Sequence, residues 1–195
     1  MKIAPRPTSI ISAHVQAGLT LFEMLITVAI LAIMVTMVGP NVSSILIKNR
    51  ITADINSLSA IVQRARFTGV NEQVNVTLCP SIDYINCVDD WQRGKMVFID
   101  SNGNSKIDNN ETLIATSDAI NQRNLILGAS GSLLFFEDGS IDTRTSIIIC
   151  PDTRDASYAS AVLLTLNGRI AVAIDSDNDG LKEDLSGSPL ACSSS

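Results

Sequence analysis

The stretch Ala17–Asn41, "AGLTLFEMLITVAILAIMVTMVGPN", decides how the rest of the chain is read. From Leu19 to Gly39 it runs for 21 residues and holds a single charge, Glu23. A helix needs about 20 apolar residues to cross roughly 30 Å of hydrocarbon, so this segment is long enough to span a bilayer. Lys2 and Arg6 precede it without any acid, and Asp54 and Asp83 lie well beyond it. Positive charge stays on the cytoplasmic side, which puts the N-terminus in the cytoplasm and the bulk of the chain outside. Glu23 is the anomaly. A carboxylate in a bilayer costs about 2.5–3.5 kcal/mol even on the lenient insertion scale, so it is rarely idle.

The 195 residues have room for one membrane-anchored element and one compact domain. Fourteen basic and twenty acidic residues give a net charge of −6. Loss of the first 18 residues, with Lys2 and Arg6, would leave −8 (−6 − 2). An acidic body repels nucleic acid at long range, so DNA binding would need a local basic patch. The even set Cys79, Cys87, Cys150 and Cys192 suits disulfides in an oxidising compartment. Four cysteines allow three pairings; nearness in sequence favours Cys79 with Cys87, leaving Cys150 to tie the tail through Cys192. Zinc is the weaker use, because there is no C-x-x-C and the only histidine is His14.

A secretory signal is cut after its apolar run, at small residues. Here the small pair Ala17-Gly18 comes before the run, and "GLTLFE" follows. On these residues the chain resembles the type IV prepilin family, including the pseudopilins of type II secretion. The resemblance implies a basic leader ending at Gly18, cut by prepilin peptidase on the cytoplasmic side, with Leu19 as the methylated new N-terminus. The family usually has Phe where Leu19 stands. It also implies that Glu23, fifth after the cut, neutralises the terminal amine of a neighbouring subunit as helices pack in a filament. The burial of a charge then fixes register.

Pro40 has no N–H for the carbonyl of Thr36, so a kink or break is expected after Gly39. In the family, a proline here marks a segment that melts on assembly. Beyond it, Ile51, Ile55, Leu58, Val62 and Ala65 recur at helical spacing, with Arg50, Asp54, Gln63 and Arg64 on other faces. This reads as the amphipathic second half of one long helix. After Gly69 the period becomes strand-like in "QVNVTLC", "GKMVFID", "TLIAT", "SLLFFE", "TSIIIC", "AVLLTL" and "GRIAVAI". The fold class is therefore α+β: a long N-terminal membrane-spanning helix packed on an antiparallel β-sheet domain. The expected division is 1–18 leader, 19–39 transmembrane half, 40–70 amphipathic half and 71–195 periplasmic β-rich domain. The order "ARFTGVNEQVNVTLCPS…C…W…GKMVFIDSNGN" resembles the GspH/FimT group of minor pilins and pseudopilins, from Gly18 to about Ile174.

Two acidic stretches carry cation-binding spacing. "DSNGNSKIDNNE", from Asp100, has Asp100, Asn102, Asn104, Asp108 and Glu111 at positions 1, 3, 5, 9 and 12 of an EF-hand loop. Ser105 replaces the turn glycine, and Asn102-Gly103 also signals a tight hairpin. "DSDNDGLKED" sets Asp175, Asp177 and Asp179 in alternation before Gly180, with Glu183 or Asp184 to close the shell. Carboxylates this close repel one another without a cation, so calcium is the expected ligand; a solvated acidic turn is the alternative.

Catalysis has little to work with. Without the leader there is no histidine, and no phosphate loop or dinucleotide fingerprint appears. The chain reads as the substrate of an enzyme. Its expected function is that of a minor pilin or type II secretion pseudopilin at or near the tip of a filament, partnered by other pilins and the inner membrane. The alternative is a DNA-binding minor pilin. Some members of the group bind DNA through a C-terminal G-R-x-R pattern. Here Gly168 and Arg169 match and Ala171 replaces the second arginine, with Arg144 and Arg154 as further candidates.

Overall fold

The computed structural model describes residues 18–193, without the side chains of residues 37–41. The expected leader, apart from Gly18, lies outside the described residues. The chain divides into two units at Ser43/Ser44.

Helix α1 spans Leu21–Glu72. Thr20 caps it: its hydroxyl accepts a hydrogen bond from the Glu23 amide (3.2 Å), the N-cap to N3 contact that satisfies an otherwise orphaned donor. No helix end falls at Pro40, where a break was one expectation; a proline deletes one backbone bond and need not end the helix. Nor does the helix stop at Gly69. It continues to Glu72, where Gln73 takes φ 54° and Val74 donates to the Gly69 carbonyl (3.2 Å), a Schellman closure. Among the described residues no helix is long and apolar enough to cross a membrane. The expected span, 19–39, includes residues whose side chains are not described.

In the second unit, the expected stripe is the buried one. Ile51, Ile55, Leu58, Val62 and Ala65 are all buried, joined by Ile61. They pack against strands of two four-stranded antiparallel sheets. The first sheet has the order β3-β2-β1-β5, from β1 (Val76–Ser81), β2 (Gly94–Ile99), β3 (Leu113–Ser117) and β5 (Leu133–Phe135). The second has β4-β6-β7-β8, from β4 (Asn124–Leu127), β6 (Thr145–Pro151), β7 (Ser160–Leu164) and β8 (Ile170–Val172). Seven strands match the expected runs; β4, "NLIL", was not among them.

Strand parity explains why these strands are buried on both faces. Val76 and Leu78 of β1, Ile147 and Ile149 of β6, and Val162 and Leu164 of β7 face the helix side of the core. Their neighbours face away: Cys79, Met96 and Phe98 in the first sheet, Cys150, Ala161 and Leu163 in the second. Each sheet therefore needs a second cover, and in each case a disulfide-pinned segment supplies it. Cys79 pairs with Cys87 (Cα–Cα 5.6 Å) and Cys150 with Cys192 (5.7 Å), the pairing favoured by sequence proximity.

Two polar residues of α1 placed on its open faces prove to be clamps. Arg50 donates to Asn124 Oδ1 (2.8 Å) and to the Arg123 carbonyl (3.1 Å), and pairs with Asp152 (3.6 Å). Asp54 accepts from the Asn121 amide (3.1 Å) and Asn124 Nδ2 (2.6 Å). Together they tie β4 to the helix, which a three-residue apolar run does not do alone.

Candidate functional site

The processing and assembly residues sit at the helix start. No atom comes within 4 Å of a Cβ built on Gly18, and Leu19 is 68% exposed. Glu23 is exposed, as is every residue from Leu21 to Thr36. At about 100° per residue, Leu21, Phe22, Ile26, Ile30, Met34 and Leu31 fall on all sides of this segment, and all are exposed.

The loop between β2 and β3, residues 100–112, is not a two-residue Asn-Gly hairpin turn, although those strands pair antiparallel. Its polar groups satisfy one another. Buried Asp100 accepts from Thr77 Oγ1 (2.8 Å) and from the Asn104 and Ser105 amides (3.1 Å each). Glu111 accepts from the Ser101 (2.9 Å) and Asp108 (3.1 Å) amides. Asp108 accepts from Asn102 Nδ2 (2.9 Å) and Asn104 Nδ2 (2.8 Å), which hold its carboxyl below the usual carboxylate range. The expected calcium donors are thus engaged with donors of their own loop. Nearby Asp83, inside the Cys79–Cys87 loop, accepts from the Asn86 and Ile85 amides (2.9 Å each) and is likewise held low.

The C-terminal loop differs. Asp175, Asp177, Asp179 and Glu183 bring one carboxylate oxygen each to within 4.8 Å of the others, the one such acidic group among the described residues. Gly180 donates to Asp175 Oδ2 (3.0 Å), and the Ser176 amide and hydroxyl donate to Glu183 Oε2 (2.9 Å each). Asp175 Oδ1 and Glu183 Oε1 are buried and accept nothing. Asp184 does not join the cluster. It accepts from the Ser186 amide and hydroxyl and the Ser188 amide, which hold its carboxyl low.

Arg169 is exposed at the β7–β8 turn, where Thr165 Oγ1 accepts from its amide (3.2 Å). Gly168 (φ 72°) is obligatory there, since a Cβ would overlap the Gly139 carbonyl. Arg144 donates to the Leu185 carbonyl (2.7 Å), and Arg154 occupies a left-handed turn position after β6.

Sequence reasoning missed Lys95. It is 1% exposed on β2 and lines a cavity of about 310 Å³ with Asp54, Leu58, Asp118 and Asn121. Burial pushes its ammonium down to about 8, against the pull of Asp54 and Asp90. The clue was its parity with Val97 in "GKMVFI", which assigns it to the helix-facing side.

A capped N-terminal helix whose later half packs on paired antiparallel sheets defines the pilin class of α+β subunit. Residues 54–168 match the family described as type II transport protein GspH, and residues 14–39 match the prokaryotic N-terminal methylation motif. The first match covers more than half of the chain, and the chain belongs to the GspH family. Among solved structures, it is similar to the type IV minor pilin FimU of Pseudomonas aeruginosa (strain PAO1). That likeness has 18% identity and a TM-score of 0.55, over 74% of this chain and 96% of that one. A second crystal form of FimU gives 18% and 0.52, over 73% and 99%. The minor pseudopilin EpsH from the type 2 secretion system of Vibrio cholerae gives 11% and 0.46, over 63% and 95%. No sequence relative is found among curated proteins. The FimU likeness establishes the fold; the family match establishes the minor pilin and pseudopilin affiliation.

Proposed function

We propose that this chain is a building block, not an enzyme: a minor pilin or pseudopilin cut between Gly18 and Leu19 by prepilin peptidase, methylated on Leu19, and incorporated at or near the tip of a pilus or pseudopilus. Before assembly it is held in the inner membrane, N-terminus in the cytoplasm and β-rich domain in the periplasm. One observation carries this reading: the helix segment Leu21–Thr36 is apolar and exposed on every side. Such a surface is stable in lipid or among other apolar helices, not in water. Glu23 is the charge in that segment, where a neighbour's terminal amine is the partner the resemblance supplies.

Mass spectrometry of the mature chain tests the cut: a first residue of Leu19 carrying one added methyl is expected, and a chain still starting at Met1 overturns it. Glu23→Ala should leave the protein in the membrane but out of the filament. The DNA-binding alternative rests on exposed Arg169 beside Gly168. Net charge near −8 favours the structural role, although the Arg66 guanidinium also packs against Gly168 at that turn. A gel shift with the full chain in detergent decides: salt-sensitive binding lost in Arg169→Ala would establish the DNA reader.

A further inference from the structure

We infer that the C-terminal loop 175–183 is a calcium site whose occupancy fastens the C-terminal segment onto the second sheet.

The acidic cluster alone would be a solvated turn. Two buried, unpartnered oxygens make it more. Glu183 is 8% exposed, and one of its oxygens accepts two hydrogen bonds from Ser176 while the other accepts none. Asp175 shows the same division, Gly180 serving one oxygen and nothing the other. A buried carboxylate oxygen without a donor is strongly unfavourable, and a native fold with two in one loop calls for a ligand. The nearest lysine does not neutralise them, because Lys182 Nζ donates to Ser160 Oγ on β7 (3.0 Å).

The ligand class follows from the donors and their spread. All four are carboxylate oxygens, which suits a hard cation rather than zinc or copper. Oxygens on opposite sides of one ion are separated by up to twice the metal–oxygen distance. That is about 4.6–5.2 Å for calcium and about 4.0–4.2 Å for magnesium. The observed spread, within 4.8 Å, can be accommodated round one calcium ion. Calcium's flexible shell of six to eight oxygens also tolerates carboxylates already half used by loop amides.

The consequence lies in what Glu183 holds. Its amide donates to the Ile174 carbonyl (3.1 Å), it bridges to Pro189, and Leu190 donates to the Lys182 carbonyl (2.7 Å). Leu190 and Cys192 then pack on Cys150, Ala161 and Leu163, the outer face of the second sheet. An ion at Asp175 and Glu183 joins the exit of β8 to this covering segment. The inference stands apart from the filament role.

The test is calorimetric titration and thermal melting of the full chain in detergent, with calcium, magnesium or a chelator. Calcium should bind at one site with a Kd on the order of 10⁻⁵–10⁻³ M and raise the melting temperature, with magnesium giving little. Asp177→Asn with Asp179→Asn, both on exposed residues, should abolish the calcium response while the chelated protein melts as the parent does. Glu183→Gln should abolish it too. No calcium response, an equal response to magnesium, or a response that survives the double variant and disappears in Glu111→Gln would each overturn the assignment.

Discussion

The first sheet is covered on its outer face by the Cys79–Cys87 loop and Ile107 of the 100–112 loop; the second is covered by the C-terminal segment ending at Cys192. Each cover has an acidic stretch and a disulfide. The first cover is internally complete: Asp83, Asp100, Asp108 and Glu111 all accept from nearby amides or side chains. The second leaves Asp175 and Glu183 each with a bare buried oxygen. Aspartate spacing that looks alike in sequence therefore yields one loop held by its own backbone and one that waits for something else. What separates them is where loop donors fall, and that is set in three dimensions.

If the second cover depends more on its restraints, cutting its disulfide should do the greater damage. Cys150 and Cys192 are 42 apart in sequence, Cys79 and Cys87 only 8. The loop-entropy relation gives about 4 kcal/mol for the first pair and about 2.5 kcal/mol for the second. Paired Cys→Ala variants compared by denaturant midpoint should show that order, and the reverse order would undo the comparison.

The lysines give the next effect. Lys95 is buried beneath α1 with its pKa near 8 instead of 10.5, and Lys182 is lowered too, also by burial. Between about pH 8 and 10.5 the unfolded chain binds the proton and the folded chain does not, so stability rises with pH across that window. Lys95 should contribute a gain of about 3 kcal/mol over the full window. Lys95→Met should be more stable at neutral pH and show a flatter rise from about pH 8 to 10.5. A variant as pH-sensitive as the parent would place the rise elsewhere.

Asp100 follows closely in size. Asp100→Ala strands the Thr77 hydroxyl and the Asn104 and Ser105 amides, at a cost of about 2–3 kcal/mol. Unchanged stability would mean water replaces the carboxylate, and the first loop would not be self-sufficient.

Much of this was legible beforehand, for identifiable reasons. The stripe from Ile51 to Ala65 and the seven strand runs follow from local periodicity. The Cys79–Cys87 pairing follows from nearness. The division into two sheets does not: β5 pairs with β1 across some fifty residues, and β4 skips to β6. Local alternation carries no record of such partners. β4 was missed because its anchors, Arg50 and Asp54, belong to a distant helix. Asp184 looked as good a ligand as Glu183 until Ser186 and Ser188 were found to occupy it.

The smallest effect is the sharpest test, because its sign differs between the loops. Asp108 is held low by Asn102 and Asn104, so its charge stabilises the fold and that contribution is lost as pH falls through its lowered pKa. Asp108→Asn removes it and should lower the melting temperature. Asp177 accepts from the Asp179 amide (3.1 Å), a bond an asparagine oxygen can keep, while sitting among three other carboxylates. In chelator, Asp177→Asn should leave the melting temperature unchanged or raise it slightly, by relief of like charge. Addition of calcium should reverse the ranking, since the parent gains and the variant does not. If both substitutions lower stability alike in chelator, the second loop holds its charges as the first does, and the distinction between the two covers fails.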